Sequence, residues 1–183
     1  MEKLFSEKTG RKFINFSRKV LNKKILKEKI KVPEEIDFRK SYAIFITLKG
    51  KEEESSGSTT ATYSIGDAIV RESEKALEKL KEKNKTDEKD LKNIEIELSI
   101  LSDLEKIEGN ILENFNPKED GLMCKFFGYT GIILPETINK KDLTKTEFLE
   151  KLCEKTGIPK DYWKKPAILF YKFQTQVFRE PKK

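Results

Sequence analysis

Residues 41–50 read SYAIFITLKG, and this run decides the fold class. Side chains alternate along an extended chain, so Tyr42, Ile44, Ile46 and Leu48 share one face and Ala43, Phe45 and Thr47 the other. Both faces are apolar, which predicts a central strand covered on two sides and ending at Gly50. A second run, IEIELSIL at 94–101, sets Ile94, Ile96, Leu98 and Ile100 against Glu95, Glu97 and Ser99. That pattern predicts a strand with one wet face, as antiparallel sheets permit. Between the two runs, KEEESSGSTTAT at 51–62 has no packing periodicity and is expected to be an exposed loop.

Helices and turns fill in around these strands. Phe13, Phe16, Val20, Leu21, Ile25 and Leu26 recur at helical spacing and predict an amphipathic helix over 11–27. Ser64 and Asp67 form a capping box opening a helix to about 83, and Thr144 with Glu147 forms another before a helix over 146–156. GLMCKFFGYTGIILPE at 121–136 reads as a hairpin, with strands at 122–127 and 132–134 and a turn over 128–131. AILFYKFQTQVF at 167–178 reads as one long closing strand. Strands joined by hairpins, with helices interspersed, predict an α+β fold: a mainly antiparallel sheet flanked by helices. The chain is expected to form a single domain, 1–183, with a weak lobe boundary near 84–92. Ile44, Ile46, Leu98, Ile100, Phe148, Leu152, Phe170 and Phe173 are the expected core.

Composition limits the chemistry. The 183 residues contain no histidine, which excludes Ser-His-Asp and Cys-His catalysis and histidine-containing zinc sites. The net charge of +6 concentrates in residues 1–41, where 13 Lys/Arg face 6 Asp/Glu. Arg18, Lys19, Lys23 and Lys24 place a basic face on the first helix. Only 5 of the 38 basic residues are arginine, so the rigid fork that reads base edges is scarce. Nucleic-acid binding is therefore expected to be weak and non-specific at most. Cys124 and Cys153 have apolar neighbours and no CxxC spacing, which predicts reduced, buried thiols in a cytoplasmic protein. No run approaches the length of a membrane span and no signal peptide is visible, so no membrane partner is expected.

NIEIELSILSDLEKI, DGLMCKFFGYTGIILPE, TEFLEKLCEKTGIPKDYWKK and YKFQTQVFRE, in that order and spacing, resemble the AMMECR family. The helix at 11–27 and YAIFITLKG resemble the family's opening helix and first long strand. The resemblance implies a larger and a smaller lobe with a cleft between them. It also implies partners among Memo-like and radical S-adenosylmethionine proteins, and a biochemical activity that is not established. The family motif LRGCIG follows the first strand; here Leu48, Lys49 and Gly50 fit its start, with lysine in place of arginine, and its Cys-Ile-Gly part has no counterpart. The Arg-Phe-Pro-Pro-type segment is also missing, and Asp120-Gly121 stands where the family has His-Gly.

Two readings of function follow. The leading one is a non-catalytic domain that binds a ligand or protein on the retained scaffold, with an altered cleft. The alternative is a small-molecule enzyme or enzyme subunit, using lysine, acid or tyrosine at that cleft. The cleft candidates are Lys49, Gly50, Tyr63, Asp67, Asp120 and Gly121. No metal or cofactor is expected, and the chain is expected to be a monomer.

Overall fold

A computed structural model describes residues 3–36, 40–84, 90–138 and 143–181. In chain order the elements are α1 (Glu7–Ile25), β1 (Ile44–Lys49), β2 (Glu53–Gly57), α2 (Ile65–Asn84), β3 (Glu95–Leu101) and β4 (Glu105–Lys106). They continue with β5 (Gly121–Phe126), β6 (Tyr129–Ile133), α3 (Pro135–Ile138), α4 (Lys145–Thr156), β7 (Leu169–Phe173) and β8 (Thr175–Arg179). The fold is α+β. Its strands form two sheets of four, ordered β2-β1-β3-β8 and β4-β7-β5-β6. The chain divides into two compact units, one comprising Glu2–Leu101 with Gln176–Lys183 and the other Ser102–Thr175. The charge-rich stretch 84–92 lies largely on residues 85–89, outside the described residues.

In the first unit, β1 is central, antiparallel to both β2 and β3. Ile44, Ile46, Leu48, Ile96, Leu98 and Ile100 face a core completed by α1, α2 and Phe178. Ser6 caps α1 by accepting from the Thr9 N–H. Ser64 likewise accepts from the Asp67 N–H at the start of α2. Fully burying a side chain such as Leu98 contributes about 1.5–3 kcal/mol.

The stretch expected to be a loop at 51–62 contains β2 instead. Glu53–Gly57 pairs residue for residue with β1, and Ser56 is buried. Its apolar signal is missing because its anchors are polar: Ser56 donates to the buried Glu72 carboxylate of α2 at 2.7 Å, and the Thr47 hydroxyl donates to Ser55 at 3.1 Å. Gly57 is there for space, since a Cβ would sit 2.3 Å from the Phe45 ring. The wet face expected for β3 is also corrected. Glu97 and Ser99 are 3% and 0% exposed.

In the second unit, β5 pairs antiparallel with β6 and β7. The hairpin turn is tighter than expected, with only Phe127 and Gly128 between the strands, both at positive φ. Leu122, Cys124, Phe170, Phe148, Leu149, Leu152 and Cys153 make the core against α4. Thr144 and Glu147 form the reciprocal capping box, and Gly157 ends α4 in the left-handed conformation. The long closing strand is two strands: at Gln174 the chain passes from β7 in one sheet to β8 in the other. All eight expected core residues are buried.

Candidate functional site

Side chains at alternate positions of the first sheet point away from the aliphatic core, and that face carries Thr47, Lys49, Glu97, Ser99 and Arg179 alongside Phe45 and Val177. Glu97 lies near the middle of β3, taken almost wholly out of water. Lys49, at the end of β1, places Nζ 2.5 Å from Glu97 Oε2. Arg179, at the end of β8, donates from Nε to the same oxygen at 2.6 Å. A buried carboxylate is costly unless paired, and here two cations compensate it. The Lys49 side chain is itself mostly buried, whereas the Arg179 side chain is 54% exposed.

Of this cluster, Lys49 also lines a cavity of about 500 Å³. Lys49, Gly50, Lys51 and Glu52 form one wall and Asp90, Asn93, Ile94 and Glu95 the other, with Leu80 of α2 between. Gly50 donates to the Glu52 carbonyl at 2.9 Å, closing the turn after β1. A Cβ on it would stand 3.3 Å from Ile94. The second wall is held from behind by Arg18 of α1. Its Nη1 donates to the Leu91 carbonyl at 2.9 Å, Nη2 donates to the Ile94 carbonyl, and Nε donates to Glu180 at 2.9 Å.

Among the expected cleft residues the structure brings Lys49 and Gly50 together at this cavity. Tyr63 and Asp67 do not join them. They stand at the start of α2, beside the Ser41–Ser64 bridge, whereas the cavity is met by Leu80 near the other end of the helix. Asp67 accepts from the Ser64 hydroxyl at 2.9 Å, and Tyr63 lies under the Arg71 guanidinium. Asp120 and Gly121 belong to the other unit. Asp120 accepts from the Asn116 N–H at 2.8 Å, and Gly121 is required because a Cβ would strike the Phe173 ring at 2.4 Å.

The expected basic face of α1 is largely committed. Arg18 is spent on backbone carbonyls and Glu180, Lys23 pairs with Glu28, and Lys24 reaches Glu74 and Glu78. Partial desolvation opposes charge on Lys24, but those two carboxylates outweigh it and raise its pKa. Lys19 is exposed. Glu97 and Arg179 were not singled out in the sequence, because strict alternation assigned Glu97 to water. One signal was present: Lys49 is the only charged residue of β1, and a lone lysine closing an apolar strand calls for a carboxylate next door.

Both cysteines are fully buried and free. Thr156 donates to the Leu152 carbonyl at 2.6 Å, so its oxygen, 3.0 Å from Cys124 Sγ, accepts from the thiol. Burial raises both thiol pKa values, that of Cys153 to about 11. Among the described residues no three His, Cys, Asp or Glu side chains converge as metal ligands. Among the same residues no helix is long and apolar enough to cross a membrane.

The sequence model of the AMMECR1 family matches residues 14–178. The chain belongs to the AMMECR1 family. The match runs through both units, including β1, β3 and the β5–β6 hairpin. Protein TV1384 of Thermoplasma volcanium is 28% identical over 93% of this chain and 89% of its own length. A protein of Methanococcus aeolicus is 35% identical, but that match covers 50% of this chain and 48% of the relative. Among solved structures, the uncharacterized protein PH0010 of Pyrococcus horikoshii superposes with a TM-score of 0.83 over 96% of this chain and 93% of its own. At 22% identity that likeness concerns the fold alone.

Proposed function

We propose that this AMMECR1-family chain is a non-catalytic binding domain that holds a small polar molecule in the cavity at the end of β1. The observation that carries the reading is the arrangement around Glu97. Glu97, buried behind the cavity's Lys49, is compensated by Lys49 and Arg179, so the lysine that lines the cavity is fixed in an ion pair. Such a cluster can orient a ligand through the remaining N–H bonds of Lys49, while its ion pair keeps that lysine from serving as a base. The apolar Leu80 and Ile94 would meet the ligand's hydrocarbon part, as in most small-molecule sites. The missing Cys-Ile-Gly segment supports the same reading, because the only two cysteines are buried in the other unit.

The finer parts of the proposal rest on the family and the thiols. Because the family match crosses both units, we take 1–183 as one AMMECR-like domain, working as a monomer. Two free thiols suit a reducing cytoplasm. A Memo-like or radical S-adenosylmethionine protein, the partner class implied by the resemblance, would supply or receive the bound molecule.

The test is a thermal-shift panel of small polar metabolites on the wild type and on Asn93→Trp, which fills the cavity mouth. A ligand at 100 times its Kd stabilises the folded state by about 2.7 kcal/mol. At least one compound is expected to raise Tm in the wild type only, and to be recovered unchanged. Recovery of a converted compound would replace the binding reading with the enzymatic one.

A further inference from the structure

The tip of the β5–β6 hairpin is built against ordinary rules. Phe127 has φ +43° and Gly128 φ +89°, the turn geometry that favours Asn-Gly. A bulky residue at the first position is strained. Phe127 is nonetheless there and 82% exposed, and a Cβ added to Gly128 would meet nothing within 4 Å. The turn therefore projects freely. Tyr129 is 56% and Leu169 43% exposed, and Leu169 lies directly across from Lys125 in the β5–β7 register.

The two segments that carry these side chains are basic. Residues 121–133 contain one lysine and no carboxylate, and residues 160–173 contain four lysines and one acid, Asp161. Of these lysines, Lys172 is paired with Glu105. Phe126 links the two segments, with its ring 4.7 Å from that of Phe127 and 5.6 Å from that of Tyr162. Lys125, Lys164 and Lys165 lie 5.3–5.8 Å from the rings of Tyr171, Trp163 and Tyr162.

We propose that this aromatic tip with its lysine collar docks on an anionic lipid surface. An apolar apex enters the headgroup region while lysines behind it meet lipid phosphates and carboxylates, the arrangement that interfacial aromatics and snorkelling lysines favour. Charge selects an anionic partner. Shape selects a soft surface over a protein segment, because the apex is convex and free-standing. Single-stranded nucleic acid is disfavoured, because lysines already lie over the rings on which bases would stack. Nothing along the chain marks this surface, since the hairpin and the 160–173 segment come together only in the fold. A single such apex gives reversible, peripheral binding and no anchoring.

The test is co-sedimentation of the full chain with vesicles of phosphatidylcholine containing about 30 mol% phosphatidylserine, against phosphatidylcholine alone. The chain is expected to pellet with the anionic vesicles only, and to be released at about 0.5 M NaCl. Phe127→Asp and Lys164→Glu/Lys165→Glu are each expected to reduce partitioning at least ~10-fold with no loss of Tm, both being surface changes. Three results would overturn the proposal: no binding to the anionic vesicles, equal binding by Phe127→Asp, or tighter binding of an oligothymidylate through these same residues.

Discussion

Glu97 on β3 and Cys124 on β5 occupy equivalent places, each near the middle of an inner strand of a four-stranded sheet, and each is almost fully buried. Their surroundings differ in kind. Glu97 is a carboxylate paired with two cations from neighbouring strands. Cys124 stays neutral and needs only the Thr156 oxygen. A buried ion depends on the placement of its partners far more than a buried thiol does, since losing one leaves an uncompensated charge. The first sheet is thus geometrically constrained beside an open cavity, and the second is a packing scaffold.

The comparison can be broken at several strengths. The largest effect tests whether the two cores are equally packed. Leu98→Ala and Leu152→Ala, each in one unit, are both expected to cost about 2–5 kcal/mol in urea unfolding. A value below about 1 kcal/mol for either would show that its core collapses around the gap. Next, Glu97→Ala should cost about 2–3 kcal/mol, less than the 3–5 typical when a buried pair is broken, because half-exposed Arg179 turns to water. Cys124→Ala should cost about 1 kcal/mol, and equality of the two would erase the contrast.

The third effect appears only in alkali. The folded-state pKa of Cys153 is raised to about 11 from an ordinary 9.0. The folded protein therefore keeps its thiol proton where the unfolded chain loses it. That stability is complete below about pH 9 and is lost as pH rises through about 11, a change on the order of 2 kcal/mol. Tm measured from pH 8 to 11 should fall more steeply for the wild type than for Cys153→Ala. Native-state alkylation of both thiols should be slow at pH 7. The smallest effect is local: Thr144→Ala should cost about 1 kcal/mol by removing the α4 cap, leaving the first unit's hydrogen exchange untouched.

Where a residue's partner lies nearby or its periodicity is set by a core, the sequence was readable. The caps at Ser64 and Thr144, the faces of β1, the inward face of β3 and the stripe of α4 are of this kind. The rest depended on tertiary pairing. Glu53–Gly57 becomes a strand because β1 offers it an edge and Glu72 offers Ser56 a partner, neither visible from a run of Glu and Ser. Deleting 54–58 therefore removes a strand, and a substantial loss of Tm is the expected outcome. The alternation of 167–178 continues through Gln174, so nothing marked the change of sheet. At the site, Lys49 and Gly50 were legible as the end of a strand. Glu97 was not, because alternation reports which side a residue faces and is silent on what lies over that side.

The crossing at Gln174 has an evolutionary corollary. Ser102 donates to the Gln174 carbonyl, and the Gln174 N–H donates back to the Ser102 hydroxyl, both at 2.9 Å. The 102–175 segment thus enters and leaves at adjacent, mutually bonded points, as an insertion does. Its ends are already closed into a loop, so relatives could lengthen, shorten or exchange that whole segment without re-threading the first sheet.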